Sequence, residues 1–272
     1  MKVQYISMAA AAMLLGSAAQ ADIVSTIEAA SSGTTVTCSG TYSVSGKIHV
    51  PAGVTVKGPA TFKFTNSASD GFVVSTSYTG VTLSSLTVTG AYHGIMIYGN
   101  SNKVTSCTAT ANYNTGIICE NTAASNTISG CLSYNNADSS GGNADGYGNK
   151  QNTGTGNVFS NCTCYNNSDD GFDFERSSGA ATCTGCVAYS NGYSTSGKTG
   201  NGEGFKMGYK GYSAVNVYTS CTAHHNTKGD SPYGFSTNNG TAKIKLTTCK
   251  SYSNGKADAL GNCVLSNCTM QN

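Results

Sequence analysis

The apolar positions of this chain recur in short alternating runs that open on glycine. They read Gly71-Phe72-Val73-Val74, Gly94-Ile95-Met96-Ile97, Gly116-Ile117-Ile118-Cys119, Gly171-Phe172-Asp173-Phe174 and Gly204-Phe205-Lys206-Met207, with weaker copies at Gly146-Tyr147-Gly148 and Gly234-Phe235-Ser236. Alternation at period two predicts short strands that bury one face. A second motif, Cys-x4-Asn, interleaves with the first. It pairs Cys107 with Asn112, Cys131 with Asn136, Cys162 with Asn167, Cys186 with Asn191, Cys221 with Asn226 and Cys249 with Asn254. Cys268 and Asn272 close a seventh copy, one residue short. Apolar Val104, Ile128, Phe159 and Leu246 stand three before their cysteines, and Tyr134, Tyr165, Tyr189 and Tyr252 three after.

Successive cysteines of this motif lie 24, 31, 24, 35, 28 and 19 residues apart. Two or three short strands per period, with no helical periodicity, predict an all-β solenoid, a parallel β-helix of about 25-residue rungs. Equivalent positions of successive rungs then stack about 4.8 Å apart. The cysteine column is expected to line the interior. The asparagine column is expected to turn inward at a bend, each amide bonding its neighbour and the turn backbone. Ser25-Thr26-Ile27-Glu28 reads as a capping box that opens a short N-terminal helix, placed to cover the first rung.

Composition narrows the function. Glycine (34) and small polar residues dominate, while the 15 Lys+Arg and 13 Asp+Glu leave a net charge of only +2. That balance lacks the basic surplus a nucleic-acid binder needs to neutralise phosphates. Lys2, the apolar run 8–15 and Ala19-Gln20-Ala21 have the form of a secretory signal peptide over residues 1–21. The expected mature chain is then one β-helix domain, residues 22–272, secreted to the extracellular space and monomeric. The apolar run is too short to span a bilayer, so no membrane partner is expected. Secretion permits disulfides, but seven of the twelve cysteines occupy one repeat position where a small buried group fits, which favours an interior ladder. The zinc-like spacings Cys162-x-Cys164 and Cys183-x-x-Cys186 overlap the same repeat.

A solenoid needs only apolar, small and turn residues, so charges stacked on one face call for a different account. Asp145, Asp169, Asp170 and Asp173 fall on two adjacent rungs, 24 residues separating Asp145 from Asp169. They are expected on an outward face. Carboxylates this close resist ionisation unless a cation neutralises them, and calcium, which takes six to eight oxygens, is the natural choice. An isolated Asp-Asp-Gly is otherwise a polar turn. Lys206 takes the Asp173 column one rung along, in Gly-Glu-Gly-Phe-Lys-Met-Gly. Beside bound calcium its pKa is expected to fall, which fits a general base; the plainer reading is a solvated surface lysine.

The segments Ala144-Asp145-Gly146-Tyr147, Asn166-Asn167-Ser168-Asp169-Asp170-Gly171-Phe172-Asp173, Ala188-Tyr189-Ser190-Asn191-Gly192 and Gly202-Glu203-Gly204-Phe205-Lys206-Met207-Gly208 resemble the pectate lyases of polysaccharide lyase family 9. The resemblance implies a right-handed parallel β-helix with an asparagine ladder that cleaves polygalacturonate (pectin) with calcium. It implies that Asp145, Asp169, Asp170 and Asp173 are calcium ligands and that Lys206 is the Brønsted base. Arg176, the single arginine, is placed to bind a substrate carboxylate bidentately or to serve as base in place of Lys206. Lys150 and Lys210 are further candidates for galacturonate carboxylates. Two other functions stay open on the residues alone. One is a β-helix hydrolase of the polygalacturonase type, which needs a carboxylate pair; the other is a β-helix that binds pectin without cleaving it.

Overall fold

The computed structural model describes residues 18–193 and 197–271. These residues form one helix, Ala18–Glu28, and twenty-five short strands. The strands lie in two sheets, one of seventeen and one of eight, and every paired register is parallel. The eight-stranded sheet contains the Gly-Φ-x-Φ runs. Its register sets Val73 beside Met96, Met96 beside Ile118, Ile118 beside Gly148, Gly148 beside Asp173, Asp173 beside Lys206 and Lys206 beside Ser236. The column that carries chemistry is therefore continuous over seven rungs.

Side chains on the other parity of these strands fill the interior. Tyr147, Phe172, Phe205 and Phe235 stack at 4.7 Å between ring centroids, the spacing of the strands themselves. Cys107, Cys131, Cys162, Cys186, Cys221 and Cys249 are buried beside them, and each of the last five points its Sγ at a carbonyl of the preceding rung, 3.4–3.5 Å away. All twelve cysteines are free thiols. The tyrosines three residues on stack outside, Tyr134 on Tyr165, Tyr165 on Tyr189, Tyr189 on His224 and His224 on Tyr252, at 4.8–5.1 Å.

The asparagine column closes the bends as expected. Asn112, Asn136, Asn167, Asn191, Asn226 and Asn254 are buried, and each of the first five donates its Nδ2 hydrogen to the next Oδ1 at 2.9–3.2 Å. The Oδ1 of each of the last five also accepts the preceding asparagine's backbone N–H, so one amide serves two rungs. Replacing Asn191 by Ala is expected to cost about 1–3 kcal/mol, because the Asn167 amide and backbone N–H lose their acceptor in a site closed to water. Urea denaturation of the two proteins measures this; coincident midpoints would mean that the amide is replaceable by solvent.

One element differs from expectation. Ser25-Thr26-Ile27-Glu28 forms the last turn of the helix, not its opening. The preceding Ala-Gln-Ala-Asp-Ile-Val stretch continues helically into it, so the capping-box pattern lies inside the element. Ile27 is nonetheless fully buried in the core at this end, and Glu28 Oε1 accepts the backbone N–H of His49 on the first strand of the eight-stranded sheet, 3.0 Å away. The proposed boundary after residue 21 falls within this helix, and residues 1–17 lie outside the described part.

Candidate active site and metal centre

The site is built where the loops enter the eight-stranded sheet. Thr115, Asp145, Asp170 and Glu203 each precede the glycine of a strand and stack rung upon rung. Their carbonyls accept the glycine N–H of the rung before: Gly116 to Asp145, Gly146 to Asp170 and Gly171 to Glu203, at 2.8–3.0 Å. Glycine is required there because the rungs touch; a Cβ on Gly171 would lie 2.5 Å from the carbonyl oxygen of Gly204. The backbone thus fixes the carboxylates above one another before any side-chain contact forms.

Asp145, Asp169, Asp170 and Asp173 are 0–4% exposed. They point away from the solenoid interior, as expected, yet they are buried and not open to solvent. The cover comes from residues distant in sequence. The Asn201 N–H donates to Asp169 Oδ1 at 2.6 Å, and Gly200 packs against the same carboxylate. One carboxylate oxygen each from Asp145, Asp169 and Asp170 gather within 4.8 Å of one another. Asp173 faces two ammonium groups instead, Lys150 Nζ at 2.7 Å and Lys206 Nζ at 3.4 Å.

Among the four aspartates the hydrogen bonds leave one buried acceptor over. Asp145 takes Thr115 Oγ1 at 3.0 Å, Lys150 Nζ at 2.7 Å and the Asp170 N–H at 3.1 Å. Asp170 Oδ1 takes the Glu203 N–H at 2.7 Å. Asp170 Oδ2 is buried without a hydrogen-bond partner, its nearest charge being Lys206 Nζ at 3.4 Å. Burial, reinforced by Asp173 and Asp145 against the pull of Lys206, pushes Asp170 up to about 7. Asp169 is held well above the usual carboxylate range by burial and by Asp170 and Asp145. Burial also acts most strongly on Asp173, but Lys150 and Lys206 overcome it and hold that carboxyl low.

Lys206 is 5% exposed and contacts Asp170, Asp173 and Glu175 Oε2, the last at 3.2 Å. Burial alone would favour its neutral form. The surrounding carboxylates, Asp173 and Asp170 foremost, outweigh burial and raise its pKa. This is opposite to the fall expected beside a cation, because here the carboxylates outweigh both burial and the neighbouring Lys150 ammonium on the same Asp173 oxygen.

Lys150 was expected at a substrate carboxylate; its ammonium instead bridges Asp145 and Asp173 at 2.7 Å each, inside the cluster. Arg176 lies at the margin, its Nε 3.1 Å from Glu175 Oε1 and its guanidinium over the Tyr209 ring, and it touches none of the four aspartates among the described residues. Lys210 is exposed and makes no ion pair among the described residues. Thr115, Glu175 and Glu203 are parts of the site that the sequence reading left unassigned. Glu203 stands at the same pre-glycine offset as Asp145 and Asp170, which was the available signal.

The aspartates fit a hard divalent cation on this geometry. Ionised together, the four carboxylates would exceed Lys150 and Lys206 by two negative charges, the deficit a divalent cation fills, and Asp170 Oδ2 is an orphaned buried acceptor among them. On the N-terminal side the same column becomes apolar, with Val73, Met96 and Ile118 packed beside Tyr98.

The profile of the family described as "Pel9A-like, right handed beta helix region" matches residues 4–267. Pectate lyase L of Thermoclostridium stercorarium is 32% identical over 183 residues, which are 61% of this chain and 14% of that protein. The chain therefore spans only a small part of the curated relative. Among solved structures, pectate lyase Pel9A superposes with a TM-score of 0.79 at 26% identity, over 91% of this chain and 72% of the other. A rhamnogalacturonan lyase (TM-score 0.71, 23% identity, 82% and 67% covered) and an alginate lyase from Paenibacillus sp. str. FPU-7 (0.66, 16%, 92% of each) share the fold. The right-handed parallel β-helix, the acidic rungs and the profile match over nearly the whole length agree: this chain belongs to the Pel9A-like β-helix family.

Proposed function

We propose that the protein is a secreted, calcium-dependent polysaccharide lyase that cleaves polygalacturonate by β-elimination, with Lys206 as the Brønsted base. The observation that carries this reading is the placement of Lys206 Nζ at the edge of a buried acidic cluster that includes an unpartnered carboxylate oxygen. The pectate lyases among its relatives support the substrate class. Asp145, Asp169, Asp170 and Asp173 would hold calcium, the first three already gathered in one group. A bound calcium supplies a positive charge that draws electron density from the uronate carboxylate and offsets the charge that develops on it.

The protein's own groups do the rest. The C5 proton of galacturonate lies α to its carboxylate and is weakly acidic. Lys206 Nζ takes that proton, the C5–H electron pair becomes the C4–C5 double bond, and the bond from C4 to the glycosidic oxygen breaks. The leaving oxygen collects a proton from water. Lys206 must be neutral to act, and Asp173, Asp170 and Glu175 oppose that. Activity is accordingly expected to rise toward alkaline pH.

Arg176 is a poorer base on two counts: guanidinium resists deprotonation, and the group is engaged by Glu175 and Tyr209 away from the aspartates. The test is the ultraviolet absorbance of the 4,5-unsaturated product from polygalacturonate, with calcium and with chelator. Product that appears in calcium and stops in chelator supports the reading. Reducing sugar released without that absorbance would make the protein a hydrolase. Export is checked by sequencing the N-terminus of the protein recovered outside the cell, expected at Asp22.

A further inference from the structure

The polar groove continues past Lys206. Ser236 is the neighbour of Lys206 in the parallel ladder, and at this next rung the surface opens into a cavity of about 290 Å³. Glu203, Ser231, Tyr233, Ser236, Thr237 and Asn238 line it, together with a few smaller contacts. Glu203 is 3% exposed; its backbone is anchored by Asp170 Oδ1, and its Oε2 has no hydrogen-bond partner. A buried carboxyl oxygen left unpaired beside an open cavity needs a ligand that can donate to it. The other polar lining side chains are hydroxyls and amides, beside the small Ala259 and Gly261, and no lysine or arginine is among them. Lys256 Nζ donates to the Asp230 carbonyl and lies 5.6 Å from the centroid of the Tyr233 ring, and the residue does not line the cavity. The volume lies just below that of pockets for drug-sized ligands, room for one sugar ring.

We propose that this cavity is a saccharide subsite one rung beyond the base, in which Glu203 accepts ring hydroxyls of a single sugar unit, without a counter-ion for that unit's carboxylate. The substrate class rests on the lyase reading above; the hydroxyl recognition rests on the cavity. A unit whose carboxylate is methyl-esterified then binds here as well as a free one.

The test uses the full chain carrying Lys206→Ala with saturating calcium, so that sugars bind uncut, and titrates trigalacturonate and its trimethyl ester by calorimetry. Glu203→Leu is expected to weaken both ligands by the same factor, about tenfold or more. Glu203→Gln, which keeps a hydrogen-bonding group, is expected to retain most of the affinity, a rescue that mere structural damage would not show. Ala259→Phe, which fills the cavity from the bridge beside Ser236 and leaves the Glu203 carboxyl in place, is expected to reproduce the loss. Unchanged affinity in both Glu203→Leu and Ala259→Phe overturns the subsite. So does a loss confined to the free acid, which would mean that the carboxylate is what is bound. The lyase reading is judged separately, by unsaturated product from the protein with Lys206 intact. Product with no effect of Glu203→Leu on binding removes the subsite and keeps the lyase; a binding loss without product does the reverse.

Discussion

Lys206→Ala is expected to lower turnover on polygalacturonate by about 10²–10⁴, toward the upper end, while calcium binding survives. The size follows from the chemistry. A proton on carbon beside a carboxylate is a weak acid, and the neighbouring cations are engaged: Lys150 is locked between Asp145 and Asp173, and Arg176 is held by Glu175. Removing Lys206 also leaves Asp170, Asp173 and Glu175 without a shared counter-ion, so the variant should be assayed with calcium present, where that deficit is offset. Its circular dichroism should match the parent, since the side chain holds none of the aromatic interior. Lys206→Arg should stay close to Lys206→Ala in rate, because guanidinium does not give up its proton in this range. Initial rates of unsaturated product decide it. Near-normal turnover in Lys206→Ala, together with a dead Arg176→Ala, would move the base to Arg176.

Much of this structure can be read from the chain because a β-helix repeats its physics. An amide ladder needs asparagine at every bend, and a rung-to-rung approach needs glycine at every strand entry, so Asn112 to Asn254 and Gly71 to Gly234 mark the turns one by one. The same regularity exposes the acidic rungs as departures. A second, interrupted asparagine column lies five residues before the motif cysteines, at Asn102, Asn126, Asn157 and Asn216. Asn102 bonds Asn126 and Asn126 bonds Asn157, at 3.1–3.2 Å, closing a different bend. In the Cys186 rung Ala181 replaces the asparagine, and its N–H donates to Asn216 Oδ1.

What the chain does not reveal is what covers the face. Asp169 is shielded by Gly200 and Asn201, about thirty residues onward, in a loop with no repeat spacing to place it. Lys150 shows the same limit. Its position three beyond Tyr147 puts it on the groove, but whether its ammonium turns outward to substrate or inward to Asp145 and Asp173 depends on the number of carboxylates crowded beneath it. Burial is the property that separates a surface acidic patch from this site, and burial is decided by loops.

Asp170→Asn should raise stability in chelator and remove most of the stabilisation by calcium. In chelator the parent carries a buried carboxyl with a folded-state pKa of about 7, against 3.8 for the ordinary group. Between those values the folded state binds a proton that the unfolded state has released, so stability falls as pH rises from about 4 through 7 and stays low above it. At about 1.4 kcal/mol per pKa unit, the three-unit difference sets an upper bound of roughly 4 kcal/mol at pH 8. Asparagine cannot ionise, and its Oδ1 can still accept the Glu203 N–H, so the variant is freed from that penalty; part of the gain is lost because Lys206 then has one carboxylate fewer. The expected result is that, in chelator at pH 8, Asp170→Asn unfolds at higher urea than the parent, and that the two converge near pH 4. Calcium should raise the parent's midpoint strongly at pH 8 and hardly at pH 5, where Asp170 is protonated and a proton must be displaced to bind the ion. The variant, missing one of three gathered carboxylates, should lose most of that response, and with it the chelator-sensitive activity. An Asp170→Asn protein less stable than the parent in chelator at pH 8, yet still stabilised by calcium to the parent's extent, would place the cation elsewhere and make Asp170 a structural partner of Lys206 alone.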